Sequence, residues 1–136
     1  MKKIVLSLIL TLTICTLGFS IWVVKLSLSE DLTYKPRSLI HFVLTDPLLK
    51  DLPTAAGAEI INYRYSAADG TKPQLSKVIW HTPQGTSTQQ ALLNDYLQQN
   101  GFAQHSKFIY RKADIELTLE INEMANNIIA VLIQPI

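Results

Sequence analysis

Residues 115–133 read IELTLEINEMANNIIAVLI, and two patterns meet in them. Ile115, Leu117, Leu119 and Ile121 alternate with Glu116, Thr118 and Glu120. Successive side chains of a strand point to opposite faces, so this alternation describes a strand with one face on a core and the other in water. Asn122–Asn127 reads as a turn. Ile128–Ile133 is then apolar at all six positions, the pattern of a strand that lies centrally in its sheet or is covered on both faces.

The chain upstream supplies the remaining elements. Phe108 and Tyr110 flank Ile109 in a shorter strand, and Lys112-Ala113-Asp114 turns it toward residue 115. Thr86-Ser87-Thr88-Gln89-Gln90 offers hydroxyl caps with a Gln three residues after both Thr86 and Ser87, which predicts a helix start. Leu92, Leu93, Tyr96 and Leu97 follow at three-to-four spacing as one apolar stripe. Asn100-Gly101 ends this helix, because Gly tolerates the left-handed backbone of a helix terminus, and Phe102 is expected to fold back on the last turn. Earlier still, Ile61, Tyr63 and Tyr65 alternate with Asn62 and Arg64, and Val78 and Trp80 alternate with Lys77, Ile79 and His81. The polar stretch between them, with Asp69-Gly70 and Lys72-Pro73, makes the pair an antiparallel hairpin with a long loop. In Ser38–Leu52, Pro47 disfavours helix at Asp46 and suits the first position of a new one. A break at Asp46 and a short turn through Leu48, Leu49 and Lys50 are expected. Leu39–Leu44 fits helix or strand and is read as helix.

These patterns predict an α+β domain over residues 38–136, an antiparallel sheet of about five strands with the 87–100 helix packed on one face. Two-layer burial is what stabilises roughly 100 residues with no disulfide or metal, and a single Cys allows no internal disulfide. From Pro53 onward the layout resembles that of small anchored envelope proteins. In those, a Pro-x-x-x-Gly-Ala stretch, here Pro53–Ala58, leads into a hairpin, a helix ending in Gly-aromatic and a terminal meander. The resemblance implies no function.

The first 25 residues are of another kind. Ile4–Val24 has no charge and 15 apolar residues among 21, and lies between Lys2-Lys3 and Lys25. As a helix it rises roughly 31 Å, the thickness of a bilayer's hydrocarbon core, whereas the core of a secretory signal is usually only about 7–15 residues. Residues 1–25 are therefore read as an uncleaved signal-anchor helix. Residues 26–37, polar and containing Lys35-Pro36, are read as a juxtamembrane linker, and 38–136 as the exported domain. Basic residues on the two sides of the span nearly balance. The signal-like position of the span orients it: N-terminus cytoplasmic, domain periplasmic, at the inner membrane. The alternative is cleavage near Gly18-Phe19-Ser20 or Ser27-Leu28-Ser29, which would release a soluble protein. Cys15 follows Ile14 rather than the small residue of a lipoprotein signal and reads as a small apolar residue in the span.

The soluble part offers little chemistry. Residues 26–136 carry 9 basic and 11 acidic side chains, and the basic ones are scattered, whereas nucleic-acid binding needs a concentrated positive face. His41, His81 and His105 are isolated, with no second His or Cys at ligand spacing, so no metal is expected. The dispersed glycines form no phosphate loop, and no cofactor or small-molecule ligand is expected. His81 and Asp69 could meet across the hairpin near serines, but no Gly-x-Ser-x-Gly elbow is present. Glu116 and Glu120 share a strand face and read as a solvated surface rather than an acid/base pair. Tyr63, Tyr65, Trp80 and Tyr110 remain. Carried outward on one sheet face they form a candidate interaction surface, because aromatic rings supply contact area; otherwise they pack beneath the helix. The expected function is a non-catalytic protein-interaction or assembly module, with the membrane and another envelope protein as partners. The alternatives are a soluble exported binder of the inhibitor or immunity type, and a small hydrolase using His81.

Overall fold

The computed structural model describes residues 2–69 and 72–135; Gly70, expected in the hairpin loop, falls outside them. Helix α1 (Lys2–Ser27) leads into an edge strand, β1 (Leu32–Tyr34), and two short helices, α2 (Leu39–Leu44) and α3 (Pro47–Asp51). The hairpin β2 (Glu59–Ser66) and β3 (Gln74–His81) precedes helix α4 (Ser87–Gln99). Strands β4 (Ala103–Ser106), β5 (Ile109–Lys112), β6 (Ile115–Asn122) and β7 (Asn127–Gln134) complete the chain. All seven strands join in one sheet, in the order β1-β2-β3-β7-β6-β5-β4, with every neighbouring pair antiparallel. This is the expected α+β architecture with two strands more than foreseen. The all-apolar β7 is the central strand.

The added strands are the two edges. β1 lies inside residues 26–37, so the stretch expected as a linker contributes to the sheet: Leu32 pairs with Tyr65 and Tyr34 with Tyr63. Three residues are too few to show a period, which is why the pattern stays silent there. β4 is exposed at all four positions and its polar sequence reads as loop. Both edges are short, and β4 carries a register shift between Gln104 and Ser106, features that discourage edge-to-edge pairing.

Register assigns each side chain to a face. Across one face run Tyr34, Tyr63, Val78, Ala130, Leu119 and their neighbours, all buried. The three small helices cover this inner face: Ile40 and Leu44 of α2, Leu48 and Leu49 of α3, and Leu93 and Leu97 of α4 belong to or pack against the same core cluster. A bulge between Ile60 and Asn62 decides one position differently from simple alternation. Ile60, opposite Trp80, packs against the core, and Ile61 is pushed outward and exposed.

Helix α4 starts and ends by different means. Its end is the expected one: Gly101, at φ +80, donates to the Gln98 carbonyl, and Phe102 N–H donates to the Leu97 carbonyl, the paired bonds of a Schellman terminus. Phe102 is buried in the same core as Leu97. At the start, Thr86 makes no side-chain cap bond. Gln89 instead turns inward, fully buried, where its Oε1 accepts from Ala55 N–H at 2.6 Å and its Nε2 donates to the Pro53 carbonyl at 2.8 Å. That amide docks the 53–58 loop onto α4. The buried stripe is thus Gln89, Leu93 and Leu97, and Leu92 is exposed. Asp46 caps α3 through Leu48 N–H, with Pro47 in its first turn, as expected.

Helix α1 contains a span, Leu6–Ser27, long and apolar enough to cross a membrane. The Thr11, Thr13, Thr16 and Ser20 hydroxyls each donate to a carbonyl one turn back, so these hydroxyls are satisfied without water, as a lipid environment requires. The helix joins the domain over a short distance: Tyr65 Oη donates to the Ser27 carbonyl at 2.9 Å and Ala67 N–H to the Ser29 carbonyl at 3.2 Å.

Candidate functional site

The four aromatic residues offered as an interaction surface are all buried: Tyr63 at 3%, Tyr65 at 6%, Trp80 and Tyr110 at 0% exposure. They lie on the inner face and form core, not surface. Their polar ends are placed accordingly. Trp80 Nε1 donates to Thr54 Oγ1 at 3.1 Å, Tyr110 Oη donates to the Asn94 side-chain oxygen, and Tyr63 stacks on Tyr34. Burial pushes the Tyr34, Tyr63, Tyr65 and Tyr110 phenols above their ordinary pKa, so they remain neutral.

The histidines fare differently. An open cleft of about 930 Å³ beside the start of β2 is lined by Lys35, Arg37, His41, Lys50, Glu59 and His81, among others. Sequence separation hid this gathering, since α2 brings His41 back over β2. The His41 ring lies 4.7 Å from that of Tyr63, and its buried Nδ1 has no hydrogen-bond partner. Burial, and then the Lys50 ammonium, hold its pKa below the ordinary value. His81 Nδ1 sits 3.1 Å from the Asn127 amide. With that amide nitrogen turned toward the ring, it donates to Nδ1 at 3.1 Å. Asp69 does not approach His81. It follows the far end of β2, whereas His81 pairs with Glu59 at the other end of the hairpin, about seven residues or roughly 23 Å away along the strand.

Among the described residues no hydroxyl or thiol is hydrogen-bonded to a histidine ring, and no group of three or more His, Cys, Asp or Glu could hold a metal ion. Chemically, the cleft offers cations to an anion. It shows no nucleophile paired with a base, the arrangement that acyl transfer requires.

The outer face of the sheet is the more informative surface. Leu75 lies opposite Ile133, Lys77 opposite Val131, and Ile79 opposite Ile129. These five apolar side chains form a stripe along the two central strands, and among the described residues no helix covers it. Val131 is buried by its neighbours alone and stands outside the core cluster; the other four are half-buried. Paired charges border the stripe. Arg111 meets Glu116 at 2.7 Å, Arg64 meets Asp31 at 2.7 Å, and Lys77 approaches Glu120 at 3.9 Å. Glu116 and Glu120 are therefore surface carboxylates held by cations. Beside Ile79, the buried Asn62 Oδ1 has no partner. The sequence did carry a signal for this surface, the apolar run 128–133 that has too few polar positions for a solvated face.

The chain matches no protein-family model, no curated protein and no solved structure.

Proposed function

We propose that this protein is a retained single-pass membrane protein, N-terminus cytoplasmic and domain periplasmic, whose small domain binds or scaffolds another envelope protein without catalysis. The observation that carries this reading is the uncovered apolar stripe Leu75, Ile79, Ile129, Val131 and Ile133. An apolar centre with a charged, paired rim is the layout of a protein–protein contact. Lining a solvated antiparallel face with isoleucines has a cost in solubility that a partner removes. The α1 span supports the anchored part of the proposal.

The test is affinity purification of the full chain from detergent-solubilised membranes, in parallel with an Ile79→Ser/Ile129→Ser variant. A partner retained by the wild-type chain and lost by the equally folded variant is the expected result. Equal recovery by both would remove the outer face from the account. Intact-mass measurement separates the anchored form from a released binder: a mature chain beginning near residue 21 or 30 identifies the latter.

A further inference from the structure

We propose that α2 is a second membrane contact: its outer edge, with Leu28, enters the lipid interface beside α1, and Lys35, Arg37 and Lys50 meet lipid phosphates around it. This rests on reading α1 as a membrane helix retained in the mature protein.

The placement comes first. The described side chains of α1 from Ile4 to Ile21 are all exposed, whereas Trp22, Val23, Leu26 and Ser27 are half-buried. Those four fall on one side of the last turn and a half, and α2 packs against α1. Five residues of helix rise about 7.5 Å. The flank of the domain therefore runs alongside the end of the apolar span rather than standing clear of it. The bonds from Tyr65 Oη to the Ser27 carbonyl and from Ala67 N–H to the Ser29 carbonyl hold that arrangement.

The chemistry of α2 fits this depth. Ile40 and Leu44 turn into the core, which in a water-facing helix would leave a polar opposite side. Here the opposite side carries Leu39 at 72% and Phe42 at 65% exposure, with Val43 exposed on the other flank of Leu39. Leu28, at the end of α1, is exposed as well. Interfacial elements bury their apolar side about 5–10 Å into the headgroup and acyl boundary, a depth comparable with the α1 segment that the domain flanks. Lys50 Nζ donates to the Phe42 carbonyl at 3.1 Å, so a cation sits directly at the patch. Lys35 and Arg37 precede α2 and line the same cleft as Lys50 and His41. None of the three makes an ion pair among the described residues. Long basic side chains beside buried apolar ones are suited to reach phosphates at the interface.

A protein occupant fits the patch less well. Its cations Lys35, Arg37 and Lys50 make no ion pair among the described residues, whereas the border of the outer sheet face is paired, and unpaired cations suit anionic headgroups. A lipid contact needs little affinity of its own, because α1 already holds the domain at the surface and makes the second contact intramolecular.

The test uses the full chain in vesicles of phosphatidylethanolamine and phosphatidylglycerol, in a Cys15→Ser background. Spin labels are introduced singly through Leu39→Cys, Phe42→Cys, Leu10→Cys as the span reporter, and Gln104→Cys as the far-edge reporter, all at exposed positions. Oxygen and a water-soluble nickel chelate are the two relaxing probes. The expected result is preferential oxygen accessibility at positions 39 and 42, at a depth of about 5–10 Å below the phosphates, with position 10 deeper and position 104 in water. Position 42 as open to nickel as position 104, with position 10 still in lipid, overturns the proposal and leaves the anchor standing. Position 42 shielded from both probes means a protein covers it, and also overturns the proposal. Position 10 in water overturns the anchor, and the proposal with it.

Discussion

The two faces of the sheet are built from the same three central strands yet stand in different surroundings. On the inner face, Trp80, Val78, Ile128, Ala130, Leu117 and Leu119 are closed under α2, α3 and α4. On the outer face, Ile79, Ile129, Val131 and Ile133 are shielded only by one another and by the side chains at their border. Apolar character alone therefore does not mark the core of this molecule. A helix must cover the face, and among the described residues α2, α3 and α4 pack on the inner one. The difference separates residues that hold the fold from residues on an open face.

The largest expected effect breaks or sustains that contrast directly. Leu93→Ala on the covered side should cost about 2–5 kcal/mol, the range for a fully buried Leu. Ile129→Thr on the open side keeps a strand-forming side chain and should cost about 1 kcal/mol or less. Urea unfolding of the full chain in detergent reads both. Similar losses would make the outer face part of the core.

Next in size is Gln89→Ala. It leaves the Ala55 N–H and the Pro53 carbonyl without their partner, at about 1–3 kcal/mol for unpaired buried groups. Amide exchange in residues 54–58 should accelerate more than exchange in β6, because the loop loses its attachment to α4. Uniform acceleration would mean Gln89 acts only through global stability.

Smaller still is the pH response of α2. His41 is held below its ordinary 6.5 by burial and then by Lys50. As pH falls past 6.5 the unfolded chain takes up a proton that the folded chain resists, so stability is full above that value and declines as pH drops toward the folded value. His41→Gln should flatten this part of the stability curve; an unchanged slope would assign it to another group. The smallest effect belongs to the rim. Arg111→Ala removes an exposed pair with Glu116 and should change stability by about 0.5 kcal/mol at most, while lowering recovery of the partner.

The same contrast explains how much of the fold was legible. Where one strand face is polar, alternation reads the register directly, as along Ile115–Ile121. The Asp46-Pro47 start of α3 and the Gly101 end of α4 were readable because each rests on local backbone geometry. Legibility failed where long-range contacts decide. Gln89 has the spacing of a capping residue, yet its amide goes to a loop more than thirty residues away in the sequence. β1 is a strand only because β2 is beside it. The bulge at Ile61 exchanges which isoleucine meets Trp80, and nothing in the run from Glu59 to Arg64 announces it. Site residues were the least legible. Aromatic side chains suit a core as well as a surface, and of the two alternatives Tyr63, Tyr65, Trp80 and Tyr110 take the core beneath the helices. The surface that stands open was encoded in the aliphatic run first read for its position in the sheet.

The most direct measurement is photo-crosslinking in native membranes, with a benzophenone side chain placed at one position of the full-length protein at a time. The account expects adducts of one defined mass from positions 79 and 129 on the open face, and none from position 104 on the far edge. Lone monomers at every position, or the same adducts from position 104, would contradict it.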